Sequence, residues 1–233
     1  MVATRNLESH WSLSAIRGLR DTGASLHIGR NMKFWSRMTG LLLVAMALLS
    51  GCTSNVRVEQ KFPAMVTKPH DLSVVLVMDD EFRNYQARPN PKTTIQLGAA
   101  HVDLLSKAFS GLFKQVKVVS SKEHAGPETD LVIIPSVREV QLSTPSESYL
   151  NVYEVWIKYN LDIETADGVP IDSWFLPAYG KTPYSYLLSR TRAIEEATVI
   201  ALRDAGAKLM LDFFRIPAIH GWMEQRLASK AEP

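Results

Sequence analysis

The side chains able to do chemistry in this sequence are few and scattered. Cys52 is the only cysteine among 233 residues, so no disulfide can form within the chain and stability has to come from packing. After it stand four histidines, His70, His101, His124 and His220. Nucleophilic catalysis needs a serine or cysteine beside a histidine base and an orienting acid, and none of the four lies in a Gly-x-Ser-x-Gly or comparable frame. Zinc needs grouped ligands such as His-x-x-x-His or His-Glu-x-x-His, and the sequence has neither. Asp79-Asp80-Glu81 offers oxygens to a hard cation without the EF-hand spacing, and a short charge run of that kind reads as a solvated turn. Walker A and Rossmann glycine patterns do not occur. The expectation is a chain without catalytic residues, metal or cofactor.

The segment that precedes Cys52 gives the lone thiol a context. From Met32 it runs MKFWSRMTGLLLVAMALLSGC, with Lys33 and Arg37 ahead of an unbroken apolar stretch, Leu41 to Leu49. No Asp or Glu occurs between Asp21 and Glu59. A short cationic leader, an apolar run too brief to span a bilayer with its flanks, and small residues at a cut site make a secretory signal rather than a membrane anchor. A buried core helix and an uncleaved anchor are the alternatives. Leu49-Ser50-Gly51-Cys52 resembles the lipobox of bacterial prolipoproteins. The resemblance implies that the Cys52 thiol takes a diacylglyceryl group, that the leader is removed, and that the new amino terminus is acylated. Leu49, Ser50 and Gly51 are then the signal-peptide recognition residues, and the acyl chains on Cys52, palmitate among them, hold the membrane. In enteric members of that family an aspartate after the cysteine retains the protein in the inner membrane. Thr53 at that place implies the periplasmic face of the outer membrane.

Removing the leader changes the charge. Residues 1–51 carry six of the 26 basic residues and two of the 24 acidic ones, which leaves 20 and 22 from Cys52 onward, a net of −2. Such a balance lacks the surplus of Lys and Arg that nucleic-acid binding requires. The remaining 182 residues suffice for one domain with a sizeable core. Residues 1–31 stand before a leader that has its own methionine, so translation is expected to begin at Met32, with an extended leader from Met1 as the alternative.

The elements that must position any site follow from periodicity. Residues 52–70 are polar and irregular, with Pro63 and Pro69, and read as a tether. A single domain is expected over 71–227. Leu72 to Met78 is a central strand, apolar on both faces. Thr93-Thr94-Ile95-Gln96 has the form of a capping box ahead of an amphipathic helix from Ile95 to Phe113. Strands follow at Val116–Val119 and Asp130–Leu142, and Ser143–Ser148 is a turn. Tyr153, Val155, Ile157, Tyr159, Leu161 and Ile163 alternate with polar neighbours, the mark of a strand with one buried face. Ala166-Asp167-Gly168 returns the chain into Val169–Ala178. An aromatic loop over 177–190, a helix from Thr191 to about Phe214, a short helix Ile219–Leu227 and a frayed tail over 228–233 complete the chain. The order β-α-β-β-β-β-α predicts an α+β fold, a mixed and mostly antiparallel sheet with two helices on one face. In element order it is similar to small envelope lipoproteins that assist lipopolysaccharide assembly or activate peptidoglycan synthases.

What remains is an aromatic set. Trp156 is out of phase with the buried positions of its strand, Trp174 lies across the hairpin, and Tyr179, Tyr184 and Tyr186 follow. An exposed tryptophan points to a recognition surface, whereas two tryptophans paired across strands or covered by a helix need no function. The expectation is a lipid-anchored periplasmic binding or scaffolding protein whose partner is an envelope protein. A lipid or glycan carrier with an apolar pocket and a cell-wall hydrolase are the alternatives.

Overall fold

The structure, a computed structural model, describes residues 53–64 and 67–231. Leu49, Ser50, Gly51 and Cys52 lie outside the described residues. The fold is α+β. A five-stranded sheet has the order β5-β2-β6-β7-β8, formed by β2 (His70–Val77), β5 (Phe113–Val119), β6 (Leu131–Ser143), β7 (Val152–Thr165) and β8 (Pro170–Pro183). Strand β2 runs parallel to both β5 and β6, while the long pairings β6-β7 and β7-β8 are antiparallel. Helices α2 (Gly98–Leu112) and α4 (Arg190–Asp212) pack on one face, and α5 (Pro217–Ala231) closes the chain.

The two-residue period of β7 is the reason for this architecture. Val155, Ile157, Tyr159, Leu161 and Ile163 are each at most 1% exposed and face the helices. They meet Leu104, Leu105, Ala108 and Phe109 of α2 and Ile194, Ala201, Leu202 and Leu209 of α4 in one core. Phe213 meets Phe109 and Phe113 edge to face, at 5.5 Å and 5.7 Å. Strand β2 is buried on both faces, as its apolar run requires. Val74 and Leu76 enter the main core, and Val75 and Val77 join Val119 and Val132 in a second cluster on the far face. Pro135 is tolerated in β6 because pairing with β2 ends at Ile133, so no partner there requires its missing N–H.

Several expected boundaries are corrected. Thr93–Gln96 is a strand, β4, and not a helix cap: Thr93 and Ile95 turn inward and are buried. It lies between β1 (Ser54–Arg57), which is parallel to it, and β3 (Gln86–Asn90), which is antiparallel, in a separate three-stranded sheet. Helix α2 starts at Gly98 without a side-chain cap; a Cβ there would stand 1.9 Å from the Arg83 carbonyl oxygen, which explains the glycine. The acidic run is the start of a short helix, α1 (Asp80–Arg83), where Asp79 accepts from the Phe82 amide at 2.7 Å. The turn after β6 holds another short helix, α3 (Pro145–Ser148), and the capping box is here, on Thr144 and Glu147.

Residues 53–64 are not a free tether. Val56, Val58 and Phe62 are buried, the Phe62 amide donates to Asp103 at 2.9 Å, and Lys107 donates to the Phe62 carbonyl at 2.5 Å. Three apolar side chains among polar neighbours are enough to dock this segment. The expected loop over 177–190 begins only after Pro183, because β8 pairs with β7 up to Val152. Residues 228–231 of the expected tail also belong to the fold, since α5 extends to Ala231. Lys230 and Arg226 reach the carboxylate of Asp130 at 2.6 Å and 2.8 Å.

Candidate recognition surface

Alternation along β7 and β8 decides which aromatic side chains meet solvent. With odd positions of β7 turned to the helices, Trp156 falls on the open face, 40% exposed. Its cross-strand partner is Tyr179, and the two rings lie 4.3 Å apart. The Tyr179 hydroxyl donates to Glu154 Oε1 at 2.5 Å. Desolvation, and then the hydrogen bond to the Glu154 carboxylate, push the Tyr179 hydroxyl up to about 12, so it stays a neutral donor at physiological pH. Lys158 and Glu139 pair at 2.5 Å beside them, and Glu139 also accepts from Gln141, the residue opposite Trp156. The result is an aromatic pair, its rings tilted by 41°, framed by both charge signs.

The expected residues divide between faces. Trp174 points the other way, half-buried, with its ring 6.2 Å from Phe213, so it belongs to the core margin. Tyr184 and Tyr186 are exposed in the segment after β8, continuous with the end of the strand. Sequence reasoning missed Phe175, half exposed on the open face, and the exposed pairs Tyr149-Leu150 and Leu187-Leu188. Apolar dipeptides in Ser-rich connections were the available signal.

The edge of β8 is closed by α4. Asp204 accepts from the Tyr179 amide at 2.9 Å, and Lys208 donates to the Pro177 carbonyl at 2.8 Å while pairing with Asp204. Helix and strand approach closely at Gly180, where a Cβ would lie 2.0 Å from the Ala197 carbonyl oxygen.

The four histidines occupy separate elements. His70 opens β2 and meets Phe214 edge-on at 4.4 Å; His124 sits in the 122–124 turn; His220 is 3.6 Å from Glu224 on α5. His101 is fully buried on α2, stacked on Phe82 at 3.9 Å, with Nε2 2.6 Å from the Phe82 carbonyl oxygen and Nδ1 without a partner. Desolvation pulls it down to about 4, so it is neutral. Among the described residues no three His, Cys, Asp or Glu side chains gather in a way that could hold a metal ion. The space between sheet and helices is filled by Leu104, Leu105, Phe109, Tyr159 and Phe213, each at most 1% exposed. A carrier would need a cavity in that layer.

No family model matches the chain, and no curated protein matches it. Among solved structures it is similar to a candidate homolog of the neuraminyllactose-binding hemagglutinin from Helicobacter pylori, at 12% identity over 75% of this chain and 100% of that one, with a TM-score of 0.48. It is similar to a minor lipoprotein from Acinetobacter baumannii at 13% identity, over 62% of this chain and 92% of that one, TM-score 0.37. A candidate lipoprotein from Caulobacter crescentus matches at 12% identity over 65% and 91%, TM-score 0.39. At such identities no residue role passes from one chain to the other.

Proposed function

We propose that this chain is a lipid-anchored protein of the bacterial cell envelope that binds or positions another envelope protein and performs no catalysis. The observation that carries the reading is Leu49-Ser50-Gly51-Cys52 behind a cationic apolar leader, with the first strand of the domain starting at Ser54. The change from leader to domain at Cys52 is what cleavage before that residue would require. No helix among the described residues is long and apolar enough to cross a membrane, and acyl chains on Cys52 supply the attachment in this reading. Thr53 in place of aspartate favours the periplasmic face of the outer membrane. The Trp156–Tyr179 face is the proposed contact for the partner, since its aromatic area is open while the polar groups around it are already paired.

Mass spectrometry of the mature amino terminus from the native host tests the anchor. The expected species begins at an acylated Cys52; a chain that retains residues 41–49, or carries a free thiol, overturns it. Crosslinking in intact cells tests the surface, with Trp156→Ala expected to lose the partner recovered by the parent. Unchanged recovery removes that face from the proposal.

A further inference from the structure

The following rests on the anchoring of Cys52 proposed above. Consecutive Cα atoms are about 3.8 Å apart, so an anchor on the residue bonded to Thr53 would hold Thr53 close to the membrane. Whatever surrounds Thr53 would therefore lie against the membrane.

Ser54 donates to the Lys92 carbonyl at 2.7 Å, and Thr53 shares a groove with Asn90 and Pro91. Asn90, Pro91 and Lys92 form one wall of a second groove of about 510 Å³, whose other wall is residues 144–147, Tyr184 and Arg190. Arg190 donates to Thr93 at 3.4 Å, and the Tyr184 amide donates to the Asn151 carbonyl at 3.0 Å. The chain thus enters the domain beside the two connections that carry the exposed apolar tips. Tyr149 and Leu188 are each 93% exposed, Leu187 69%, Tyr184 55% and Leu150 54%.

The backbone of these tips is also out of the ordinary. Tyr149, Leu187 and Leu188 have φ of 57°, 48° and 50°, the left-handed region that bulky L-residues avoid. Two successive leucines held there in solvent gain no burial within the chain, and a lipid interface supplies it. Lys92 and Arg190 stand beside them, with stems long enough to lie along an apolar layer while their charges meet anionic headgroups.

We propose that Tyr149-Leu150 and Tyr184–Leu188 insert into the interfacial layer of the membrane that holds Cys52. The domain then rests on anionic lipid by this end. The hairpin turn at Val169 is at the far end of β7 and β8, about 40 Å away at the rise of a strand.

Because Cys52 is the only cysteine, introduced thiols can be labelled singly once it is acylated. Full-length processed parent, Leu188→Cys, Tyr149→Cys and Val169→Cys proteins are treated with a nitroxide reagent and reconstituted into vesicles of phosphatidylethanolamine and phosphatidylglycerol. Collision with a water-soluble nickel chelate is then compared with collision with oxygen. The expected result is an unlabelled parent, with nickel access at positions 149 and 188 severalfold below that at 169. Equal nickel access at all three positions overturns the docking while leaving the anchor intact, as it would if a protein partner covers this end. A parent that takes the label has a free Cys52 thiol, which overturns the anchor and the docking together.

Discussion

Mild acid should weaken this domain chiefly through His101. Its ring is buried between Phe82 and Tyr159, its Nε2 bonds the Phe82 carbonyl, and its Nδ1 has no partner to share a second proton with. Folding lowers its pKa from 6.5 to about 4, chiefly by desolvation, against the hydrogen bond to Phe82 that raises it. Between those values the unfolded chain binds a proton that the native state refuses. Stability is therefore full above about 6.5, falls as pH drops through the window, and stops falling from this cause below about 4. The whole interval corresponds to about 3 kcal/mol, a large part of the 5–15 kcal/mol typical of a domain. Asp103 and Asp130, both held below the ordinary carboxylate value of 3.8, lose their contributions mainly at lower pH, while Glu139 and Glu147, held below 4.5, begin to lose theirs at the acid end of the window in any variant that keeps them. Urea unfolding of the processed protein, followed by tryptophan fluorescence on either side of the window, measures the effect. His101→Phe keeps a ring stacked on Phe82 and removes the titrating group, at about 1 kcal/mol at every pH for the lost hydrogen bond. The variant should lose about 3 kcal/mol less than the parent across the window. Equal losses in parent and variant would rule out His101 as the cause.

Two further outcomes follow from close contacts. Gly180→Ala places a Cβ 2.0 Å from the Ala197 carbonyl oxygen and 2.4 Å from the Ala201 amide nitrogen. Helix α4 must then retreat from β8, for a loss of about 1–3 kcal/mol read as a lower urea midpoint. Asp130→Asn removes the charge that holds Arg226 and Lys230, while its amide oxygen can still accept from the Ser73 amide. Burial alone would raise the Asp130 pKa, but the bonds from Lys230, Ser73 and Arg226 hold it low. The substitution should cost about 2 kcal/mol, and amide exchange should accelerate along α5 and not along β7.

Legibility depended on whether a segment's partner was nearby in the chain. The alternation of Tyr153 to Ile163 and the turn at Ala166-Asp167-Gly168 are local, and the hairpin they specify is present with its register unbroken from Val152 to Ile163. Trp156 was correctly placed on the open face by the same period. Thr93–Gln96 failed because hydroxyl-x-x-Gln fits a helix cap and a short strand equally well. Its parallel partner β1 lies about forty residues earlier, in a stretch too polar to read as a strand. Trp174 failed for another reason. Its strand turns it to the helix face, where its ring lies 6.2 Å from Phe213, and a tryptophan at a core margin is indistinguishable by type from one at an interface. Leu187 and Leu188 carried no periodic signal, and only their backbone and exposure set them apart.

Docking of the segment after Cys52 changes what an acyl anchor would do. A flexible linker from Thr53 to His70 would give the domain a reach of roughly 20–25 Å and free rotation. With β1 hydrogen-bonded to β4 from its first residue, an anchor would set orientation as well as position. Tyr179 lies five residues along β8 from Tyr184, about 17 Å at strand rise, so the Trp156–Tyr179 face would stand just beyond the headgroups. A partner could not reach that site by adding a strand to β8, because Asp204 and Lys208 already occupy the edge amide of Tyr179 and the carbonyl of Pro177. In the proposed function, recognition on this side goes through side chains of the open face, and its specificity rests on the aromatic pair and the charges that frame it.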